Sequence, residues 1–303
     1  MNEFELIRRH FHRLGHGAVR PVVPNGDDAA VFQPAPGCQV VVCCDTLIEG
    51  VHFSRDTAPG DIGWKSLAVN LSDLAAMGAD PVGFLLALSL PSVDAQWVEA
   101  LAAGLRQLAD ESRCPLLGGD TTRGPLSLTV TAIGSVPEGQ AITRGGAQPG
   151  DRILLSGPIG DAAAALAMPD GPADLHRRLL RPQPRLSLGS RLRGVATAAI
   201  DLSDGLAADL GHVLDASGCG ARIEAVRLPM SAALNGCATA EQRLRWQLHG
   251  GDDYELCVTI PPDRVPPDAG LIDIGECVAG SRRSLKLADG DTIALTAEGF
   301  RHF

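Results

Sequence analysis

Aspartates recur beside glycines or at element ends at five points in the 303-residue chain: Gly26-Asp27-Asp28, Cys44-Asp45-Thr46, Gly119-Asp120-Thr121, Asp201-Leu202-Ser203-Asp204-Gly205 and Gly250-Gly251-Asp252-Asp253. Each lies next to an apolar run, so the pattern predicts carboxylates on tight turns between strands and helices. Carboxylates so placed suit a hard cation such as Mg²⁺, which takes oxygen ligands, one or two carboxylates per ion, and waters. Adjacent glycines let backbone approach a bulky anion. Asp and Gly are also ordinary turn residues, because Asp hydrogen-bonds its own backbone. One such turn decides nothing; five point towards a shared site.

Other residues offer contacts. In a helix expected over residues 62–77, Ser66, Asn70 and Asp73 fall on one face at i, i+4 and i+7. From Ser66 to Met77 the helix is otherwise apolar except for Ser72 and should be largely buried, so Asp73 needs a metal or an arginine, or else marks an edge that reaches solvent. Arg123 and Arg144 sit in Gly-rich segments, where a guanidinium can fork onto phosphate oxygens or pair with a nearby Asp. His52 follows a strand end and suits either a substrate contact or a structural role. Ser156-Gly157-Pro158-Ile159-Gly160, between a strand and a helix, fits a phosphate cradle or a plain tight turn. No GxxxxGK[ST], no HRD or DFG, and no GxSxG occurs.

The elements that must carry these residues are interleaved. Expected are a helix over 3–13, a strand over 39–44 delivering Asp45 at its end, a helix capped by Asp61, and a strand over 82–90. A helix over 94–112 and a strand over 127–136 follow. After Gly145–Gly150 come a strand from Arg152, an Ala-rich helix from Asp161, a helix after Asp204-Gly205, and strands near 221–227, 254–260 and 271–277. This order predicts an α/β or α+β class, with domains over 1–147 and 148–303. Of the 36 acids 25 are Asp, and of the 26 bases only Lys65 and Lys286 are lysines. The net charge of −10 argues against a nucleic-acid-coating surface or a polybasic membrane anchor. It leaves room for small anions held through divalent cations. No stretch of ~18 apolar residues predicts a membrane span, and the start lacks the apolar core of a signal peptide. Eight cysteines without a CxxC pair read as reduced, buried thiols of a cytoplasmic protein rather than a zinc site.

Taken in order, GDDAAV, DTLIEGVHF, AVNLSDLAAMGADP, GGDTTRG, ITRGGAQPGD, AIDLSDGLAADLGH and GGDDYEL resemble the thiamine-monophosphate kinase family, within the aminoimidazole-ribonucleotide synthetase-like superfamily. The resemblance runs from about residue 4 to 303. It implies a two-domain fold and a homodimer whose N-terminal strands form a barrel across the interface. It also implies Mg²⁺-dependent transfer from ATP to thiamine monophosphate, giving thiamine diphosphate and ADP. Carried onto matching positions, the metal ligands are Asp28, Asp45, Asp73, Asp120, Asp201 and Asp204. The ATP contacts are Gly119, Asp120, Arg144 and Ser203, and the thiamine monophosphate contacts are His52, Asp252 and Phe300. The chain departs from the family at Cys43-Cys44, where relatives often carry Ser or Thr. It also departs at Asp252, where some have Glu, and at Phe300, where Tyr or Trp can occur.

The chemistry agrees with the residues. A phosphate monoester has a second pKa of about 6 and is already a dianionic nucleophile near neutrality, so no general base is needed. The difficulty is the meeting of two polyphosphate anions, which carboxylate-held cations can neutralise and align. Direct transfer without a covalent enzyme intermediate is therefore expected. Competing readings are a superfamily relative and a non-catalytic nucleotide sensor. Selenophosphate synthetase would want a reactive Cys and a Lys near the start. The hydrogenase-maturation relative would want a C-terminal Cys, and neither feature is present.

Overall fold

The computed structural model describes residues 5, 7–12, 14–17, 22, 29–30 and 32–296. They fall into two compact units, Met1–Leu74 with Ala79–Gly139, and Ala75–Gly78 with Gln140–Phe303.

The first unit is built on a four-stranded sheet with the order β1-β4-β2-β3. Its strands are β1 (Cys38–Ile48), β2 (Asp80–Leu90), β3 (Leu116–Arg123) and β4 (Ser127–Pro137). β4 pairs antiparallel with both β1 and β2. β2 and β3 are parallel, joined by a crossover through α2 (Ala95–Ser112). Period-2 alternation decides the faces: Leu128, Val130, Ala132 and Val136 of β4 are buried, while the residues between them are half-buried, apart from buried Gly134. β1 keeps Val40, Val42, Cys44, Thr46 and Ile48 exposed. Near the N-terminus a single π-helical turn, Ile7–Phe11, stands where a helix over 3–13 was expected.

α1 (Pro59–Ala76) is buried through most of its length, including the polar Lys65, Ser66, Asn70 and Ser72. It opens with Pro59 in the first turn, where a missing N–H costs nothing. Asp61 therefore lies inside the helix and does not cap it. Asp94 does cap α2, accepting from the Gln96 and Trp97 amides at 2.9 and 3.3 Å. The two helices cross at glycines. A Cβ on Gly104 would stand 1.8 Å from the Gly60 carbonyl oxygen, and one on Gly63 2.2 Å from that of Leu101.

The second unit holds a seven-stranded sheet, β11-β10-β7-β9-β5-β8-β6. In chain order these are β5 (Arg152–Leu155), β6 (Ala198–Asp201), β7 (Gly220–Glu224), β8 (Leu256–Ile260), β9 (Ile272–Val278), β10 (Arg283–Lys286) and β11 (Thr292–Ala294). Between them run α3 (Asp161–Ala167), α4 (Ala173–Leu180), α5 (Leu186–Arg191), α6 (Leu206–Ser217), α7 (Ala232–Cys237) and α8 (Ala240–His249). Both faces of the sheet are covered. Ile153, Leu155, Ile200 and Ile274 pack with Leu206, Leu210 and Leu214 of α6. Leu154, Ala199, Val258 and Ile260 pack in a second core with Leu192. All five residues of β8 are accordingly buried.

The class is thus mixed α/β, as expected. Two local expectations fail. The segment GGDTTR was read as a turn, yet it forms β3. The strand expected to end before Asp45 continues to Ile48, so Asp45 lies within it. All eight cysteines are free thiols. Cys114, Cys219, Cys257 and Cys277 are buried as expected, whereas Cys44 is exposed on β1. Among the described residues no helix is long and apolar enough to cross a membrane.

The helix crossing yields a test. Gly104→Ala forces a methyl group into the α1 backbone, and overpacking of this kind costs about 1–3 kcal/mol. A fall in Tm of about 2–12 °C is expected by calorimetry. An unchanged Tm would show that the close approach is not a constraint.

Candidate active site

In the first unit, β1 and α1 bring Asp45 and Asp73 together. The Asn70 side chain, one turn before Asp73, accepts the Asp45 amide at 3.0 Å and donates to the Ser66 carbonyl at 3.1 Å. This single residue fixes the register of helix against strand. The two carboxyl groups then lie within hydrogen-bonding reach of each other, Asp73 half-buried on the helix and Asp45 exposed on the strand. Burial raises the Asp45 carboxyl above its ordinary value, opposed by the Asp73 hydrogen bond and by the charge of His52. The Cys43 thiol donates to the Asn70 carbonyl oxygen at 3.3 Å. Burial, and then Asp73 and Asp45, hold that thiol far above its usual range, so it stays protonated. His52 closes the turn after β1, its Nδ1 accepting the Ile48 amide at 3.0 Å.

Asp120 and Gly119 stand elsewhere in this unit. Register aligns Thr46, Thr129, Ala87 and Asp120 across the four strands. Asp120 is therefore three strands from the Asp45 edge, or ~14 Å at normal strand spacing. It is exposed, as is Arg123 at the end of β3. Gly119 is required by its neighbour, because a Cβ there would stand 1.9 Å from the Leu86 carbonyl oxygen. Among the described residues of either unit, no three His, Cys, Asp or Glu side chains converge as a metal cage. Asp28 and Phe300 lie outside the described residues.

In the second unit, Asp201 ends β6 buried, and Ser203, Asp204 and Gly205 turn the chain into α6. This turn is laced to residues 252–255. The Asp252 amide donates to the Ser203 carbonyl and the Tyr254 amide to that of Leu202, both at 2.8 Å, while the Leu202 amide donates to Glu255 at 2.9 Å. Gly205 and Gly251 allow this contact, since a Cβ on the latter would stand 2.4 Å from the Ser203 carbonyl oxygen. Asp252 and Tyr254 have φ of +63° and +52°, in the left-handed region that non-glycine residues rarely adopt. Arg144 is exposed in a loop whose Gly146 and Ala147 amides donate to Ser217 at the end of α6.

The sequence reading passed over Asp209. It is 2% exposed and accepts both the Asp204 and Gly205 amides at 3.0 Å, pinning the turn from within α6. Burial pushes its carboxyl up to about 7, with Asp204 and Asp201 adding repulsion. Its place one turn into an otherwise apolar helix was the available signal. The phosphate-cradle alternative for residues 156–160 is overturned. The Gly160 amide is taken by both oxygens of Asp253, at 3.0 and 2.9 Å, and the space over Gly157 by Glu255.

Known proteins resemble the chain along its length. The family model described as AIR synthase related protein, N-terminal domain, matches residues 26–136. The thiamine-monophosphate kinase of Escherichia coli K12 is 45% identical over 318 aligned residues, covering 99% of this chain and 98% of that one. The crystal structure of thiamine-monophosphate kinase from Stenotrophomonas maltophilia is 47% identical with a TM-score of 0.83, covering 88% of this chain and 90% of that one. A structure described as AaThiL complexed with AMPPCP and TMP is 28% identical with a TM-score of 0.80, covering 94% and 90%. The hydrogenase maturation protein HypE of E. coli shares the fold at 20% identity and a TM-score of 0.78, covering 99% and 96%.

Asp209 gives a pH test. Its folded-state value, about 7, is above the ordinary 3.8, so its contribution to stability is fully present below pH ~4. That contribution is lost as pH rises towards 7, on the order of 4 kcal/mol in all. In EDTA, Asp209→Asn keeps an acceptor for the two amides and should gain on wild type across this window by urea unfolding. Parallel pH profiles would show that Asp209 is not held protonated.

Proposed function

The chain belongs to the thiamine-monophosphate kinase family, and on that premise we propose that it transfers the γ-phosphoryl group of ATP directly to the phosphate of thiamine monophosphate. The observation that carries the reading is the 45% identity sustained over 99% of the chain. The homologous structure complexed with AMPPCP, a non-hydrolysable ATP analogue, and TMP supports the pair of substrates.

Mg²⁺ fits the residues present. Asp45 and Asp73 offer hard oxygen donors within hydrogen-bonding reach of each other, where a shared cation can take the place of a shared proton. In this reading Asp45 and Asp73 hold one ion, and Asp28, Asp120, Asp201 and Asp204 supply the remaining ligands. When bound, Mg²⁺ neutralises phosphate charge and polarises the transferred group. Gly119, whose missing side chain leaves the β3 backbone bare, is assigned to ATP with Asp120, Arg144 and Ser203. Arg144 supplies a fixed positive charge where other phosphate sites use a lysine. His52, Asp252 and Phe300 are assigned to thiamine monophosphate. The Asp252 carboxylate suits the cationic thiazolium or a ring amine, and Phe300 suits stacking. No residue has to remove a proton, because the acceptor phosphate is already ionised.

A homodimer belongs to the same proposal. β1 is an edge strand whose outward face carries Val40, Val42 and Ile48, a pairing surface that a monomer would expose to aggregation. A second copy covering it would extend the open sheet towards the barrel implied by the family. Sedimentation equilibrium should give twice the chain mass, and a monomer at micromolar concentration would remove this part.

The activity is tested by incubating protein, MgATP and thiamine monophosphate and reading thiamine diphosphate by mass. Product is expected, abolished by EDTA. Asp73→Asn should lower kcat about 100-fold or more, with the fold retained by circular dichroism. Full turnover in that variant would overturn the metal assignment, and no product from wild type would overturn the proposed reaction.

A further inference from the structure

Three buried carboxylates of the second unit take no part in the site so far described: Asp161, Asp253 and Glu255, at 0%, 9% and 2% exposure. They are not stray charges. Arg185 forks onto Glu255, its Nε donating at 2.7 Å and a terminal nitrogen at 2.5 Å. Arg178 donates to Glu255 at 2.9 Å and to the Pro158 carbonyl at 2.7 Å, and its Nε lies 3.0 Å from Asp161. The Ser156 hydroxyl donates to Glu255 at 2.5 Å, and that of Ser231 to Asp161 at 2.8 Å. Gly157 lets the turn close onto Glu255, since a Cβ there would stand 2.6 Å from its Oε1. Asp253 clamps the Gly160 amide with both oxygens.

The arrangement alternates along the chain. Residues 253 and 255 are anchored inward by these groups. Residues 252 and 254, between and beside them, hold left-handed φ angles and donate their amides to Ser203 and Leu202. Left-handed backbone at non-glycine residues costs on the order of 1–3 kcal/mol each and persists only where the surroundings over-determine it. The Arg185 fork onto buried Glu255, joined by Arg178, provides such a constraint, because charge-assisted bidentate bonds are strong and directional. Burying a carboxylate with two arginines, where packed apolar side chains would serve stability equally well, makes sense if the gain is in placement.

We propose that Arg178, Arg185 and Glu255, with Asp253 on the Gly160 amide, are positioning residues that hold Asp252 in the one backbone conformation from which it meets thiamine monophosphate. This rests on the substrate role proposed for Asp252. The arginines touch neither substrate and act through the loop 251–254.

The test uses the full chain and the variants Arg185→Gln and Arg185→Lys, which leave the buried acids in place. Amide exchange is followed over residues 250–256, and calorimetry measures binding of thiamine monophosphate and, separately, of AMPPCP. In Arg185→Gln, exchange at the Asp252 and Tyr254 amides should rise. Thiamine monophosphate should bind about tenfold more weakly while the nucleotide changes less than about twofold. Arg185→Lys should recover part of the loss. Unchanged exchange, or faster exchange with unchanged affinity for thiamine monophosphate, would overturn the proposal. So would equal loss of both ligands in step with Tm, because that is the signature of a general structural role. Should Arg185→Gln not fold, Arg178→Lys is read in the same way. Wild-type protein that fails to bind thiamine monophosphate sinks the substrate reading instead, and the exchange data then decide the loop anchorage by themselves.

Discussion

Carboxylates withdrawn from water must each find a counter-charge, a proton or a cation, and this requirement organises both units. The structure separates its buried acids by how they meet it. Asp161 and Glu255 face Arg178 and Arg185. Asp253 and Asp209 accept backbone amides and are held well above the ordinary carboxylate range by burial. Asp45 and Asp73 face each other. The first two solutions are complete within the protein. The third sets two carboxyl groups against each other, which can hydrogen-bond only while they share a proton, and that shared position is the one proposed for a cation.

The same distinction explains why some residues hold still and others remain available. Around Asp45, rigidity comes from Asn70, whose amide bonds helix to strand. Around Asp204 it comes from Asp209, which takes the turn's amides from the helix side. Around Asp252 it comes from Asp253 and Glu255, which spend their own charge inward. In each case a neighbouring polar residue fixes the backbone beside a residue proposed to meet a ligand. Phosphoryl transfer with little covalent chemistry for the protein depends on such placement and on electrostatics.

Much of this was legible from the residues. Strand and helix periodicity gave the α/β class, and the polar stripe of Ser66, Asn70 and Asp73 marked the face of α1 that meets Asp45 on β1. The ordered Asp-Gly motifs identified the family. What misled was turn chemistry: Gly118-Gly119-Asp120 reads as a turn by composition, yet forms an edge strand. Glycine there serves close approach to the Leu86 carbonyl instead of a change of direction. Cys43 and Cys44 read alike, yet alternation turns one towards Asn70 and leaves the other exposed.

The sequence by itself determined the class and the family, because these depend on local pattern and on motifs a few residues long. Only the tertiary structure decided which carboxylates meet each other and which meet arginine. Asp45 and Asp73 are 28 positions apart and Arg185 and Glu255 are 70 apart. Their pairing follows from strand register and helix packing. The same physics separates Asp252, Asp253 and Glu255, which are near neighbours in the chain. Asp253 turns inward to the Gly160 amide and Glu255 to Arg185, while Asp252 takes a left-handed backbone, and no spacing rule records that choice.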